Sequence, residues 1–415
     1  MLSPGSKGWI SKYFDLVEKG ELWVSIRNYH GLSDIKHLHL TFSRSGIIFG
    51  LPTRAIFGHR IDTSNWTNTE RLKVLLFESL LFVHLKHGGK LDKDDFVESL
   101  IGFYGNHNSR SIMNVFTFFL KESNEEKLEK IFTKRLDIKL KLLENSWWVN
   151  SLNNAFVYLD VILFNDYCTN EEHLCPVKYS EFATNALTAI TMTTYADGVV
   201  DKREKDLFNV FLASANLSEE DRNTAVNQFN SGAGFEDFDD FVKEHELFKR
   251  FLLDVALLTV FSDSKADDSE LIFMDEFRLF LGIHEDELEE TYMFVEDFII
   301  ENRHQSEFLN DAPSYEKVYS RFSGRWGKIL SRNKDKLSTE LAESKELVAL
   351  IRKSVNDELT AEEKEKVKEQ SKDLLKTLPA IAVFMIPGGT ILLPMMLKLL
   401  PEMLPSAFRN NEIDK

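Results

Sequence analysis

Six carboxylates recur in this chain at one spacing. Asp197, Asp201 and Glu204 lie in TYADGVVDKREKDLF, and Asp263, Asp267 and Glu270 lie in VFSDSKADDSELIF, 66 residues further on. Oxygen donors alone suit a hard cation, Ca2+, Mg2+ or Mn2+, better than zinc. The spacing is not that of a twelve-residue EF-hand loop. The competing chemistry is local, since Asp201 and Asp267 also stand where helix N-caps belong. Glu204 and Glu270 follow three residues later, as in a capping box with Asp in place of Ser or Thr.

The elements around these acids repeat without a gap. Tyr195 pairs with Phe261, Leu207 with Phe273, Phe211 with Phe277, Leu217 with Ile283 and Glu219 with Glu285. In the first copy an apolar helix, FATNALTAITMTTYA, runs to Asp197-Gly198, where glycine permits a left-handed stop. Asp197 and Asp263 are not needed as caps. Each closes a helix, where the dipole disfavours negative charge, which points to a compensating cation. Tyr195-Ala196-Asp197-Gly198 with Glu204 resembles the signature of the TerB-like, tellurite-resistance-associated domains. The resemblance spans roughly Glu181 to Glu301, although Ser264 replaces the glycine in the second copy. It implies an all-helical domain of two related halves, associated with divalent cations and membrane stress.

Charge follows the same division. Residues 181–300 hold 28 acidic and 9 basic side chains in a chain of net charge −17. That block repels nucleic acid phosphates, so no direct DNA binding is expected. Cys168 and Cys175 are the only cysteines, which fits a reducing compartment. The opening MLSPGSKGWISKYF lacks an apolar signal-peptide core.

The N-terminal 178 residues read as mainly helical. Amphipathic helices are expected over Thr67–His87, Asp94–Tyr104, Ser111–Lys121 and Glu125–Lys141. Trp147-Trp148 through Phe164 is strongly apolar. Asp160, Asn150, Asn153 and Asn154 within it argue for burial over a membrane span. HLHLTFSRSGIIFG, residues 37–50, reads either as a β-hairpin turning at SRSG or as a helix, with His37 and His39 flanking an apolar face.

The C-terminal fifth points outward. Leu378 to Leu397, LPAIAVFMIPGGTILLPMML, has no ionisable side chain and is about the ~20 apolar residues needed to cross a bilayer. Pro387, Gly388, Gly389 and Pro394 would kink it into a bent helix or a hairpin. Before it, Thr360 and Glu363 form a capping box for a helix carrying Lys364, Lys366, Lys368, Lys372 and Lys376. Such lysines are drawn to anionic lipid and mark a cytoplasmic side. The alternative is a solvated face balanced by Glu365 and Glu369.

Leu359 to Phe408, ending in LKLLPEMLPSAF, resembles the membrane-segment signature of the LETM family. The shared positions include Asp373-Leu374, Lys376, Pro379, Pro387, Leu392-Leu393-Pro394 and Pro401 to Phe408. That family comprises transmembrane proteins of the mitochondrial inner membrane, so the resemblance implies a membrane protein. The combination with a TerB-like region resembles bacterial LETM-related biofilm-associated proteins. Two departures matter. Thr390 stands where the family has an intramembrane glutamate, which argues against ion–proton exchange. The chain also ends at Lys415, where the family continues into a ribosome-interaction domain, which argues against direct ribosome binding.

Enzyme signatures are weak. Gly232-Ala233-Gly234 lacks a third glycine and a preceding strand, and Glu244-His245-Glu246 lacks a zinc-protease spacing. The sequence therefore reads as an all-α, multi-helical, non-enzymatic protein in four parts. These are an N-terminal helical domain (1–178), an acidic TerB-like domain (179–301), a basic helical linker (302–377) and a LETM-like membrane segment (378–408). The expected location is the cytoplasmic face of the cytoplasmic membrane, and the partners are lipids, membrane proteins or further copies of the chain. The runners-up are a cation/proton transporter or its regulatory subunit, a ribosome-associated membrane factor, and a soluble helical scaffold.

Overall fold

The computed structural model describes residues 2–28, 31–59, 61–106, 122–136, 154–170, 177–198, 200, 202–261, 268–302, 312–376 and 397–401. Every regular element among them is helical, so the all-α expectation holds. The chain divides into two units, the first reaching Val295 and the second beginning at Glu296. The boundary expected between residues 178 and 179 falls inside the first unit.

The first unit opens with α1 (Trp9–Glu18), α2 (Asp34–Ser45), α3 (Asn68–Lys86), α4 (Lys93–Asn106), α5 (Asn124–Leu136) and α6 (Tyr158–Thr169). Helix α3 is its axis. Leu72 to His84 are buried on every side of it, so it has no polar face. Its start is fixed by a capping box between Thr67 and Glu70. Around Phe77 the rings of Trp9, Tyr13 and Phe96 meet edge-on at 5.1, 4.9 and 5.2 Å. Edge-to-face packing places ring hydrogens against π-faces and adds to the burial itself.

Helix α1 has no capping side chain of its own, because its N-cap is Gly8 at φ 81. Helix α5 supplies the missing acceptors. Glu129 accepts from Gly8 N at 3.1 Å and Ile10 N at 3.3 Å, and Glu125 accepts from Ser11 N at 3.0 Å. Carboxylates at a helix N-terminus also complement its dipole.

Residues 37–45, one of whose readings was a hairpin strand, are helical. Ser33 Oγ accepts the Lys36 amide at 3.4 Å and starts α2. Gly46 at φ 79 ends it, and a 3-10 turn, Ile47–Phe49, closes on Gly50 at φ 63. At Gly50 an added Cβ would lie 2.1 Å from Asn154 O, so the backbones touch there. The alternating His37, His39 pattern wraps a helix whose two faces are both covered, with His37 9% and His39 3% exposed.

The acidic region is a duplicated three-helix motif. Helices α7 (Tyr179–Thr194), α8 (Lys202–Ser214) and α9 (Glu219–Ser231) make the first copy. Helices α10 (Glu246–Val260), α11 (Asp268–Leu281) and α12 (Glu285–Asn302) make the second. Helices α8 and α11 begin 66 residues apart, as do α9 and α12. Equivalent residues Phe182 and Phe248 touch each other, with centroids 4.5 Å apart where α7 lies against α10. A residue contacting its own equivalent marks a local twofold axis. Asn216 at φ 48 and Gly282 at φ 68 make the same left-handed turn between the second and third helices of each copy.

One buried ion pair joins the aromatic helices to the repeat. Arg135 Nε donates to Asp160 Oδ2 at 2.8 Å and a terminal nitrogen donates to Oδ1 at 2.6 Å. The two side chains are 3% and 0% exposed. Tyr104 donates to the same carboxylate at 3.1 Å, and the guanidinium lies 4.6 Å from the Tyr179 ring centre. The helix around Asp160 is therefore buried core, as its polar residues implied.

The second unit contains α13 (Ala312–Arg332), α14 (Lys334–Glu343), α15 (Lys345–Asn356) and α16 (Ala361–Lys376). The expected helix over Ser111–Lys121 and the residues beyond Leu136 in the next one lie outside the described residues, as do Trp147 and Trp148.

Removing one partner of the Arg135–Asp160 pair leaves an uncompensated buried charge. Asp160→Asn is expected to cost about 3–5 kcal/mol of stability. The double variant Arg135→Met, Asp160→Leu should recover most of that loss, and urea unfolding of both reads the difference. A single variant that loses under about 1 kcal/mol would show that the pair is not buried as described.

Candidate functional site

Of the six repeated acids, the described residues include Asp197, Glu204 and Glu270. Asp201, Asp263 and Asp267 lie outside them. Asp197 is exposed in the turn after α7, beside Gly198 at φ 81. Glu204 and Glu270 are both 4% exposed, at the third positions of α8 and α11. The two helices begin at Lys202 and Asp268, each one residue after the aspartate of the repeat. Among the described residues no group of three or more potential metal-binding side chains comes together.

Other buried polar groups, which the sequence did not single out, prove to be structural. Glu78 is fully buried on α3 and accepts from Tyr13 Oη at 2.9 Å and from the amides of Ile56, Phe57 and Gly58 at 2.6, 3.0 and 2.9 Å. Burial pushes its carboxyl above the usual value against the pull of those four donors. His39 Nε2 and Asp254 Oδ2 pair at 2.9 Å, which fastens α2 to α10, and burial raises the Asp254 carboxyl as well. His245 meets Asp166 at 2.7 Å. In each case the spacing in sequence is long, so no local motif announces the pair.

A cavity of about 330 Å3 beside Trp9 gathers Lys7, Lys73, Lys130, Glu122, Glu126 and Glu129. Its charges are already engaged. Lys7 pairs with Glu126 and Lys130 with Glu122, while Lys73 Nζ donates to Pro4 O at 3.2 Å and Thr133 Oγ1 at 3.1 Å. Desolvation lowers the Lys73 ammonium and raises the Glu129 carboxyl.

Helix α16 carries the lysines from Lys364 to Lys376. Its expected capping box forms, with Thr360 N donating to Glu363 Oε2 at 2.8 Å and Glu363 N to Thr360 Oγ1 at 3.3 Å. Val367, Ser371 and Leu374 are its buried positions, and α14 and α15 are the helices it packs on. Lys364 and Lys366 are exposed, and Lys368 is half-buried. Lys366 meets Glu346 of α15 at 3.2 Å, and Lys368 meets Glu365 at 3.2 Å. The balancing expected from Glu365 is therefore present. Side chains of Lys372 and Lys376 lie outside the described set.

Pro387, Gly388, Gly389, Pro394 and most of the Leu378–Leu397 run also lie outside it. The search for spans covers the described residues, where no helix is long and apolar enough to cross a membrane. Helical structure resumes at Leu397, with Leu399 8% exposed and Leu400 fully buried. Leu399 rests against Gly327 of α13, where an added Cβ would be 3.7 Å from its Cδ2.

Comparison with known proteins bears on this end of the chain. No curated protein and no solved structure matches. Residues 359–415 match the family model described as "LETM1-like, RBD", so the C-terminal part of the chain is similar to the LETM-like family, as its sequence signature implied.

Proposed function

We propose that this chain is a non-enzymatic, membrane-associated protein that attaches through its LETM-like C-terminal segment. The match over residues 359–415 carries the reading. The outward lysines of α16 support it, because cations beside an anionic leaflet gain attraction that falls off within a Debye length. They also favour the cytoplasmic side. The helical first unit then serves as a scaffold for partners, in the manner of the biofilm-associated proteins that the sequence resembles.

A second reading is a soluble scaffold whose apolar C-terminal run folds back on its own helices. The burial of Leu399 and Leu400 favours it. Sedimentation with liposomes separates the two. Full-length protein should pellet with vesicles containing anionic lipid and resist a high-salt wash, and deletion of residues 378–415 should release it. Full-length protein that stays in the supernatant would leave the fold-back reading standing.

Transport is not part of the proposal, because Thr390 offers no ionisable group inside the apolar run. Reconstituted protein should show no pH-coupled cation flux, measured with an entrapped pH dye. Flux above that of empty vesicles would reinstate the exchanger.

A divalent cation at the acidic repeat remains the finer part of the proposal. Asp197, Asp201 and Glu204, with Asp263, Asp267 and Glu270, would supply oxygen ligands. If they do, excess Ca2+, Mg2+ or Mn2+ raises the melting temperature by mass action. The double variant Asp197→Asn, Asp263→Asn should abolish that rise and keep the fold, since neither aspartate is a cap. No rise with any of the three ions would leave capping, at about 0.5–2 kcal/mol per cap, as the whole role of Asp201 and Asp267.

A further inference from the structure

A second cavity lies between the loop after α2 and the first turns of α3. It holds about 230 Å3, and its charged lining is entirely basic: Arg54, His59 and Arg71. Among the described residues no carboxylate lines it, although the chain carries a net charge of −17. Ile61, Trp66, Val74 and Leu75 supply an apolar wall. Partial burial, and then the neighbouring Arg54 charge, hold the His59 imidazole below its usual value.

Arg71 is only partly spent. One terminal nitrogen donates to Thr63 O at 3.1 Å, whereas Nε is buried and has no hydrogen-bond partner. That Nε is closed off from solvent, so the terminal nitrogens are the donors that can reach an occupant of the cavity.

The walls are fixed in advance. The Glu78 carboxylate grips the amides of residues 56–58 from behind. Thr53 N donates to Ser45 O at 3.1 Å, Ile61 N to Gly58 O at 3.0 Å and Trp66 N to Thr63 O at 3.0 Å. Gly58 is needed for this closeness, since a Cβ there would stand 2.9 Å from Glu78 Oε1. A loop held by that many backbone bonds loses little freedom on binding.

We propose that this cavity binds a phosphate or a small phosphoester, with Arg71 and Arg54 donating to its oxygens and Trp66 and Ile61 covering the organic remainder. Two guanidiniums and an imidazole converge on one space, which suits the several oxygens of a tetrahedral anion. A carboxylate is satisfied by one guanidinium fork. The volume is below the roughly 300–1,000 Å3 of pockets that enclose drug-sized ligands, so the group bound is small or enters head first. The site uses residues 52–75 alone and does not rest on the C-terminal membrane reading.

The test uses the full chain and isothermal titration with inorganic phosphate, glycerol 3-phosphate, glycerol and acetate. Vesicles of phosphatidylcholine with and without phosphatidate form a separate arm. Saturable binding of glycerol 3-phosphate, with none of glycerol or acetate, is expected. Arg54→Gln should weaken it about tenfold or more, the scale of one lost charge-assisted hydrogen bond. Arg71→Gln also frees Thr63, so Arg71→Lys is the companion variant that keeps the charge and loses the fork. Phosphatidate vesicles binding more weakly to Arg54→Gln, with no heat from the soluble esters, would assign the group to a lipid headgroup. No phosphate-dependent binding in either arm, binding of acetate equal to that of phosphate, or unchanged affinity in both folded variants would overturn the proposal.

Discussion

The Arg135–Asp160 pair is the constraint on which the first unit is arranged. Two opposite charges with almost no solvent contact are tolerable only when both are fully engaged. That requirement fixes the spacing of α5 and α6 and brings in Tyr104 from α4 and Tyr179 from α7. Burial and the Asp160 charge both push the Tyr104 phenol up, so it stays a donor throughout the neutral range. Asn154 Nδ2 adds a bond to Arg135 O at 2.7 Å, at the spot where Gly50 meets the Asn154 backbone. The pair thus also sets where the α2 region must end. The acidic repeat cannot be a free-standing appendage, because its first helix supplies part of this enclosure.

Within the repeat, symmetry is kept where packing demands it and lost where the copies meet different neighbours. Phe182 and Phe248 face one another, Asn216 and Gly282 turn the chain alike, and Glu204 and Glu270 are equally buried. Asp254, by contrast, is equivalent to Thr188. Thr188 meets Gln228 of its own copy at 3.2 Å, whereas Asp254 reaches out to His39 of α2. The second copy has become the one that anchors the repeat to the N-terminal helices. Of the acids kept in both copies, Glu204 and Glu270 stand in the first turn of a helix, a position with a local geometric use.

Sequence reading succeeded where the signal is local. The Thr360–Glu363 capping box marks a helix start from four residues alone, and the repeat was visible as a fixed offset. It divided at residues 37–50, because alternation there reflects a helix covered on both faces rather than a pleated strand. Ser33 and Gly46, as cap and stop, carried the better signal. Glu78 and the Arg135–Asp160 pair were not legible as partners. Their meaning depends on groups 20 or more residues away, brought together only by packing. The basic cavity was hidden for a related reason. TRAIFGHR is a small cationic island in an acidic chain, but Arg71 joins it from the next helix.

The second unit limits how the C-terminal segment can meet a membrane. Helix α16 presents lysines outward while Val367, Ser371 and Leu374 are buried. Its links to α15, Lys353–Glu363 and Lys366–Glu346, are solvent-screened and contribute little to holding it there. The apolar contacts hold it, and an anionic surface would compete only for the screened pairs. Peeling α16 off would expose Val367 and Leu374 for little gain in charge contact, since Lys364 and Lys366 already face out. If the proposed attachment holds, the arrangement with least cost is therefore an intact bundle of α14, α15 and α16. The apolar run that follows Lys376 would then enter the bilayer from a helix end already held at the surface.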